Sequence, residues 1–397
     1  MDRRAISLLA LAHITDDVNQ SFLPALLPLL VAERHLSYAA AATLVLGQAM
    51  SSSVVQPAIG YLADKRPMPW LVGVGLLLAG GGIAGIGFMP TYALIFACAL
   101  ISGLGVAMFH PEAARFANLA AGSRKASGMR WFAVGGNIGF ATGPAFATIA
   151  LATYGITGTS LAAIPVAVMA VLLLREARRF HTLLPKEKSA KAKAAAPDDW
   201  SGFLRLGGYI TVRSMAYIGL VSFIPLYFVH VVGVAPWIAN LVLTAYLIAG
   251  IGGTIVGGAL ADRHGRREVI FASMGLSFVM VLAFATFTNG VGLAAIVAGF
   301  ILAPVLGFVM NGAQAASIVL AQEYLPNRLG MASGLTLGLA VSIGGMFTPV
   351  LGTIGDHWGL HASLLAIGAL TALSLALALT MPHPAKRRAL LVARAAA

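Results

Sequence analysis

The first apolar stretch of the chain contains a row of polar side chains that could bind or transfer protons. His13, Asp16, Asp17 and Gln20 recur at helical spacing, and the two carboxylates lie about halfway along the predicted helix, roughly 16 Å from its start. An ionised carboxylate at that depth in a bilayer is costly and normally faces a bundle interior or a water-filled cavity. We therefore predict proton handling for Asp16 and Asp17, without deciding which of them titrates, and substrate contacts for His13 and Gln20. The alternative is a hydrogen-bonded pair that only ties helices together.

A second polar group falls on the predicted fourth helix. Glu112 and Arg115 are three residues apart, share a face and should form an ion pair within the helix. His110 lies on another face, and Pro111 weakens the helix beside it. Because imidazole titrates near neutral pH, His110 could relay a proton, although a lone histidine is more often a packing residue. We predict proton coupling for His110 and Glu112 and substrate binding for Arg115.

Arg213 is placed inside an apolar run rather than near its end. Its expected role is to neutralise an acidic side chain or to hold an anionic substrate through a bidentate contact. Tyr217, one helical turn later, falls on the same face. Four further polar residues inside apolar runs are candidates for substrate binding, although such residues more often join helices: Gln48, Asn137, Asn311 and Gln314.

The chain also carries a charged turn twice. Gly60-Tyr-Leu-Ala-Asp64-Lys-Arg66 is matched by Gly258-Ala-Leu-Ala-Asp262-Arg263, and the two aspartates are 198 residues apart in a chain of 397. Each copy lies between two long apolar runs. A shorter echo, Leu104-Gly105 with Leu306-Gly307, has a similar spacing. A repeat at half the chain length predicts two matched helical halves, as in transporters built from two repeats.

Composition excludes an ordinary soluble domain. The chain is 59% hydrophobic and 10% charged, with 45 glycines and a mean hydropathy of +0.87. Since a helix needs about 20 apolar residues to cross a bilayer, we predict twelve transmembrane helices, six in each half. They lie near residues 5–32, 38–63, 69–89, 92–118, 127–153, 158–178, 203–232, 236–261, 268–288, 291–321, 331–355 and 359–381.

The net charge of +12 is distributed as in a membrane protein, not as in a nucleic-acid-binding protein. Apart from Arg34 and Arg213, the lysines and arginines lie in alternate loops or at the helix ends beside them. This is the positive-inside pattern of an inner-membrane protein with both termini in the cytoplasm.

Cys98 is the single cysteine, which excludes a disulfide or thiolate metal site. A cleaved signal peptide is not expected, because the first apolar run contains charged residues. We divide the chain into a first bundle (1–179), a basic linker (180–202), a second bundle (203–381) and a basic tail (382–397).

Two segments resemble motifs of the major facilitator superfamily. Residues 258–267, Gly-Ala-Leu-Ala-Asp-Arg-His-Gly-Arg-Arg, match its loop motif closely, whereas the first copy ends differently, with Arg66-Pro-Met-Pro-Trp70. Gly139-x-x-x-Gly143-Pro144 is similar to the signature of its antiporters. Other segments resemble the fosmidomycin-resistance branch of drug exporters: His13-x-x-Asp16-Asp17, Pro24-x-x-x-Pro28, Phe109-His-Pro-Glu112-x-x-Arg115 and Gly135-Gly-Asn137-x-Gly139.

The resemblance implies an all-α membrane fold of two pseudo-symmetric six-helix bundles that opens alternately to each side of the membrane. It also implies a latch in the basic loops on the cytoplasmic side and a seal in helix 5 towards the outer side. The latch candidates are Asp64, Arg66, Asp262, Arg263 and Arg266, and the seal candidates are Gly139, Gly143 and Pro144. Glycine pairs at small-xxx-small spacing should allow close helix approach: Gly81/Gly85, Gly139/Gly143 and Gly253/Gly257.

We therefore expect a proton-coupled antiporter that exports small molecules, including drugs of the fosmidomycin type or related anionic metabolites, with no cofactor and no metal. Its expected partners are a small-molecule substrate, protons and membrane lipids, without nucleic acid, and the chain should work as a monomer. One alternative is a proton symporter that imports an organic anion, with Arg213 as its anchor. Another is a membrane sensor that does not transport. An enzyme is not expected, because the sequence shows no nucleophile–base–orienter set, metal-ligand cluster or cofactor motif.

Overall fold

The computed structural model describes residues 1–65, 68–122, 124–182, 197–326, 332 and 340–383, and these residues contain helices but no strands. The first half contains α1 (Arg3–Arg34), α2 (Tyr38–Lys65), α3 (Trp70–Ile86), α4 (Tyr92–Ala121), α5 (Lys125–Tyr154), a 3₁₀ helix (Gly155–Ala162) and α6 (Ala163–Thr182). The second half contains α7 (Trp200–Tyr227) with a π-helical turn (Phe228–Val232), α8 (Pro236–His264), α9 (Arg266–Phe287), α10 (Leu293–Gly312), α11 (Gln314–Tyr324), α12 (Ala340–Met346), α13 (Thr348–Trp358) and α14 (Leu360–Leu379).

Most of these helices are suited to a bilayer. Among the described residues, eight segments are long and apolar enough to cross a membrane. α1 is not one of them, because its polar row lowers its hydropathy, and α3 is shorter, with 17 residues. Each of the twelve predicted spans overlaps helix in the described ranges, the eleventh from residue 340 onwards. The predicted all-α membrane fold is confirmed.

The predicted tenth span is divided into two helices. α10 ends at Gly312, and α11 begins at Gln314. Arg213 donates to the carbonyl oxygen of Met310 from both Nε (3.2 Å) and Nη2 (2.9 Å), so a side chain supplies donors to a carbonyl near the end of α10. The predicted tenth span still corresponds to one segment, Leu293–Tyr324, that is long and apolar enough to cross a membrane, with a single non-helical residue, Ala313, within it.

The chain divides into two compact units. The first unit comprises α1 to α6 and the residues 235–244, and the second comprises α7, the rest of α8 and the helices that follow it. In the first unit α4 packs against α2 and α3, and α1 packs against α4 and α5. In the second unit α7 packs against α12 and α14, and α9 packs against α10 and α14. The predicted limits of the bundles, linker and tail stay predictions.

The first helix of the first unit starts at a capping aspartate. The Asp2 carboxylate accepts from the Ala5 amide (3.1 Å) and from Arg179 of α6 (2.8 Å), and the Asp2 amide donates to the Ala120 carbonyl oxygen of α4 (2.7 Å). Burial by itself would raise the pKa of Asp2, but the Ala5 amide and the Arg179 guanidinium outweigh it and lower that pKa below its usual range. The start of α1 is therefore tied to two other helices of its own unit.

The second unit begins in the same way. The Asp199 carboxylate accepts from the Gly202 amide (3.1 Å), which caps α7. The Asp199 amide donates to the carbonyl oxygen of Tyr324, the last residue of α11 (2.7 Å). The same pair of contacts thus opens both halves of a duplicated chain.

α5 approaches α1 closely at two of the predicted seal glycines. A Cβ atom added at Gly139 would collide with the carbonyl oxygen of Ile14, and one added at Gly143 would collide with the hydroxyl of Ser21. The close approach predicted for this pair is confirmed. Because α1 carries the polar row, these two glycines also set how near that row lies to α5.

The small-xxx-small spacing of glycines does not predict close helix approach at every position. A Cβ atom added at Gly81 of α3 would meet nothing within 4 Å, whereas one at Gly82 would lie 2.6 Å from the Ser102 amide of α4. The prediction is wrong for Gly81, because spacing alone does not show which face of a glycine-rich helix is packed. Gly253 and Gly257 of α8 do lie directly against the backbone of α10, as predicted.

Candidate functional site

Four predicted proton- or substrate-handling residues form one cluster in the first unit. His110 of α4 lies between the two carboxylates of α1: its Nδ1 is 3.4 Å from Asp16 Oδ2, and its Nε2 is 3.4 Å from Asp17 Oδ1. His13 closes the group, with its Nε2 3.1 Å from His110 Nε2 and 3.4 Å from Asp17 Oδ2. Residues about 100 positions apart in sequence are thus brought into contact.

The hydrogen bonds of the two imidazoles fix how many protons they hold. His13 Nδ1 lies 2.8 Å from the Phe132 carbonyl oxygen, and His110 Nδ1 lies 3.2 Å from the Val106 carbonyl oxygen. A carbonyl oxygen only accepts, so both Nδ1 atoms must carry a proton. A hydrogen bond between the two Nε2 atoms then requires a third. Three protons on two imidazoles amount to one positive charge, and this charge lies beside two carboxylates.

The two aspartates differ in their surroundings. Asp16 is 0% exposed, and neither of its carboxylate oxygens receives a hydrogen bond within the described part of the chain. Asp17 accepts from Gln20 Nε2 as well as facing both histidines. Both aspartates meet α4 through His110, and their predicted proton handling stays a prediction. Gln20 joins the cluster through Asp17.

The imidazole of His13 packs closely against two residues of α5, Phe132 and Gly136. Its ring stacks on Phe132 with 4.2 Å between the ring centroids. A Cβ atom added at Gly136 would lie 2.5 Å from the imidazole, so glycine is needed beside it on α5. The ligand atoms of His13, Asp17 and His110 lie within 4.8 Å of one another, close enough in principle for a cation. Sequence analysis missed this grouping because the residues are far apart in the chain. Hydrogen bonding explains the closeness, and we assign no metal to it.

Glu112 and Arg115 serve a different contact. The Glu112 carboxylate is fully buried and lies 3.5 Å from Arg115 Nη1, so the ion pair expected within the helix is present. Its Oε1 also accepts from the Met68 amide (2.8 Å). Glu112 thereby fastens α4 to the residues that lead into α3, a partner that no sequence pattern indicated. Its predicted part in proton coupling stays a prediction.

The remaining candidates of the first half are dispersed. Gln48 donates to the Ser102 hydroxyl (3.0 Å) and so joins α2 to α4, the commoner role for such a residue. Asn137 is exposed on α5, and Pro144 is buried within the same helix. Asp64 lies in the last turns of α2, but its side chain and the whole of Arg66 fall outside the described residues.

The second unit contains a separate polar group around Arg213. Its Nη1 donates to Gln314 Oε1 (2.7 Å), in addition to the two bonds to the Met310 carbonyl oxygen. Arg213 is 5% exposed, and within the described residues no carboxylate lies within 4.0 Å of it. Tyr217 is half-buried, with its ring 6.2 Å from that of Tyr246 on α8. The described residues therefore do not show Arg213 neutralising an acidic side chain, which was one of its two predicted roles.

Other candidates of the second half lie in helices or at the charged turn. Asn311 donates to the carbonyl oxygen of Gly307 one turn earlier (2.9 Å). Asp262 and Arg263 are exposed at the end of α8. Arg266 pairs with Glu323 at 2.6 Å, which ties the start of α9 to the end of α11. The latch role of these residues stays a prediction.

Comparison with known proteins agrees with this architecture. A model of the Major Facilitator Superfamily matches residues 9–349 and, in a second match, 212–396. The chain is 31% identical over 360 residues to the fosmidomycin resistance protein of Escherichia coli (strain K12), covering 88% of this chain and 86% of that one. It is 32% identical over 391 residues to the MFS-type transporter YfnC of Bacillus subtilis (strain 168), covering 96% and 93%.

Solved structures show the same fold at low sequence identity. A bacterial homologue of the human lysosomal transporter Spinster superposes with a TM-score of 0.79 at 13% identity, covering 94% of this chain and 95% of that one. The nucleoside transporter NupG superposes with a TM-score of 0.75 at 14% identity, covering 96% and 100%. The chain is thus a multi-pass membrane transporter rather than an enzyme, and it belongs to the major facilitator superfamily, related to the fosmidomycin resistance protein.

Proposed function

We propose that the chain is a proton-coupled antiporter of the inner membrane that exports small molecules by alternating access, with both termini in the cytoplasm. The observation that carries the proposal is the buried cluster of His13, Asp16, Asp17 and His110. Two carboxylates and two imidazoles in a membrane helix bundle are costly, and such residues usually mark a path for protons, ions or substrate. The relative named for fosmidomycin resistance supports export as the direction.

His110 is the point at which protons enter and leave this cluster. Its side chain is 25% exposed, whereas those of Asp16 and Asp17 are 0% and 12% exposed. It also contacts both carboxylates and His13, so that a proton taken up at His110 reaches any of them without another step. The groups act as one coupled set, since each lies within 3.4 Å of another.

Exchange requires that protons and substrate exclude one another. Loss of one proton leaves the cluster with an additional uncompensated negative charge in a poorly solvated place, which reprotonation relieves. In the proposed cycle the substrate binds to the deprotonated form and is released when the cluster is reprotonated from outside.

The test is uptake into everted membrane vesicles from cells that produce the chain. With an acid vesicle interior, an antiporter accumulates fosmidomycin in the lumen, and dissipating the pH gradient should abolish the accumulation. The double variant Asp16→Asn, Asp17→Asn should lose it while remaining folded and monodisperse. Asp356→Asn, an exposed carboxylate on α13, is the matched control and should transport normally. Accumulation by the double variant that still depends on the pH gradient would overturn the proposal.

The symporter alternative is supported by a separate observation, the buried Arg213 without a carboxylate within 4.0 Å among the described residues. A symporter that imports an organic anion would empty everted vesicles of the anion under the same gradient. The sign of the proton-driven flux therefore separates the two functions.

Gating is proposed to involve the charged turns, as the family resemblance implies. Asp262 and Arg263 are exposed, as a latch that engages another segment requires, whereas Arg266 is already paired with Glu323. Asp262→Asn should therefore change the balance between open states more than Arg266→Gln does. Accessibility of single introduced cysteines to a membrane-impermeant thiol reagent measures that balance.

A further inference from the structure

We infer that Arg213 and Tyr246, with Tyr217 beside them, form a subsite in the second unit for the oxyanion group of a small molecule, a phosphonate or carboxylate. The inference rests on the proposed function only in taking the transported substrate as the occupant. Sequence analysis did not single out Tyr246, which lies in an apolar run without a polar neighbour at helical spacing.

Arg213 carries a buried positive charge. The four acidic residues between 203 and 381 all lie at or near helix ends: Asp262, Glu268, Glu323 and Asp356. Arg213 lies in the interior of α7 and is 5% exposed, with no carboxylate within 4.0 Å in the described ranges. A guanidinium is always charged, and a buried charge without a counter-ion is strongly unfavourable. An anionic ligand supplies the missing charge.

Arg213 also has more hydrogen-bond donors than its described partners use. A guanidinium has five N–H donors, and Arg213 uses three of them on Met310 and Gln314. Two remain, one on each terminal nitrogen, and a guanidinium can bind two oxygens of one phosphonate or carboxylate. The bonds to Met310 explain why Arg213 is held at the end of α10, but they leave its charge uncompensated.

Tyr246 supplies a second polar group that lacks a partner within the described part of the chain. Tyr246 is 0% exposed, and its hydroxyl has no hydrogen-bond partner among the described residues. Tyr246 faces Tyr217, which follows Arg213 by one turn of α7. α8 also lies directly against α10 at this level, because a Cβ atom added at Gly307 would collide with the Tyr246 carbonyl oxygen. A buried hydroxyl without a partner is destabilising. A ligand oxygen next to Arg213 would accept its hydrogen bond.

The aromatic rings indicate what is attached to the oxyanion. The ring centroids of Tyr217 and Tyr246 lie 6.2 Å apart, so aromatic side chains lie beside the donors. The subsite therefore suits a small amphiphilic anion with a short carbon chain. Propylphosphonate is the simplest probe of this chemistry, and diethyl propylphosphonate is its neutral counterpart.

The experiment measures binding by the full chain in phosphatidylcholine nanodiscs, by calorimetry and without a pH gradient. Wild type should bind propylphosphonate and not the neutral ester. Tyr246→Phe removes only the hydroxyl, so it should fold at least as stably as wild type yet bind at least about tenfold more weakly, as expected for loss of one hydrogen bond to a charged group. Arg213→Gln should abolish binding. Tyr227→Phe is the matched control. Its ring is as buried as that of Tyr246, but Tyr227 lies about 21 Å from Arg213 along α7.

Equal affinity of wild type and Tyr246→Phe, or equal binding of the ester, would overturn the inference. Including phosphatidylglycerol in the nanodiscs tests the lipid phosphate as occupant. Competition by this lipid would assign the subsite to a headgroup and also overturn it as a substrate site. Because no gradient is applied, loss of proton coupling in the vesicle assay leaves this result unaffected, and the two ideas fail separately.

Discussion

The contact between Asp16 and His110 predicts a large coupling energy. The two groups lie 3.4 Å apart, and Asp16 has no hydrogen-bond donor among the described residues. Opposite unit charges at this distance attract each other by about 5 kcal/mol at an effective dielectric constant near 20. Because the imidazolium charge is shared with His13, we expect a measured coupling of about 2–5 kcal/mol. His110→Gln alone should destabilise the protein strongly, since it leaves a buried carboxylate without its cation. Adding Asp16→Asn should restore much of the loss.

The assay is a double-mutant cycle on reversible unfolding in mixed micelles at pH 7, with Asp16→Asn, His110→Gln and the double variant. The cycle of Gln48→Leu with Ser102→Ala provides the comparison, because that pair is a neutral interhelical hydrogen bond of 3.0 Å and should couple by only about 1 kcal/mol. Additive effects at Asp16 and His110, to within about 0.5 kcal/mol, would refute the charge assignment made for the cluster.

Two further predictions concern packing and pH. Gly139→Ala should lower the free energy of unfolding by about 1–3 kcal/mol, since its Cβ would collide with the Ile14 carbonyl oxygen. Gly81→Ala should be neutral or should raise the free energy of unfolding by up to about 1 kcal/mol, because its Cβ would meet no other atom within 4 Å. Thermal unfolding of both variants measures the two effects. Asp2→Asn retains the helix cap but loses the ion pair with Arg179, so it should cost less than about 1 kcal/mol at neutral pH. Because folding lowers the pKa of Asp2, its charge stabilises the fold above the carboxyl's ordinary pKa. The difference from wild type should therefore shrink as the pH falls below about 4. A difference that is constant between pH 3 and 7 would contradict this explanation.

Much of the fold was predictable because apolar length and charge distribution are local properties of the sequence. The contact between Arg213 and the Met310 carbonyl oxygen was not, since the two residues lie about 100 positions apart in the chain and meet only after folding. Gly81 shows a related limit. Spacing identified a packing motif, but the packed face of α3 is set by the position of α4.

The candidate site was predictable only in part, because spacing within one helix is a local property of the sequence and contacts between helices are not. The helical spacing of His13, Asp16 and Asp17 placed them on one polar row of α1. The rotation of α4 about its axis decides which of its side chains meets α1. It places His110 between the two carboxylates and directs Glu112 to the Met68 amide. Tyr246 left no signal in the sequence, because a tyrosine in an apolar helix is ordinary; only the structure shows that its hydroxyl has no partner within the described ranges.

The capping aspartates at the starts of α1 and α7 bear on how this chain can be re-engineered. Asp2 is anchored through Ala5 and Ala120, and Asp199 through Gly202 and Tyr324, so each anchor is complete within one unit. Neither anchor depends on which half is translated first. Permuted chains in which the second half precedes the first therefore retain both starting points, and they offer a direct way to ask whether gene order matters for a duplicated transporter.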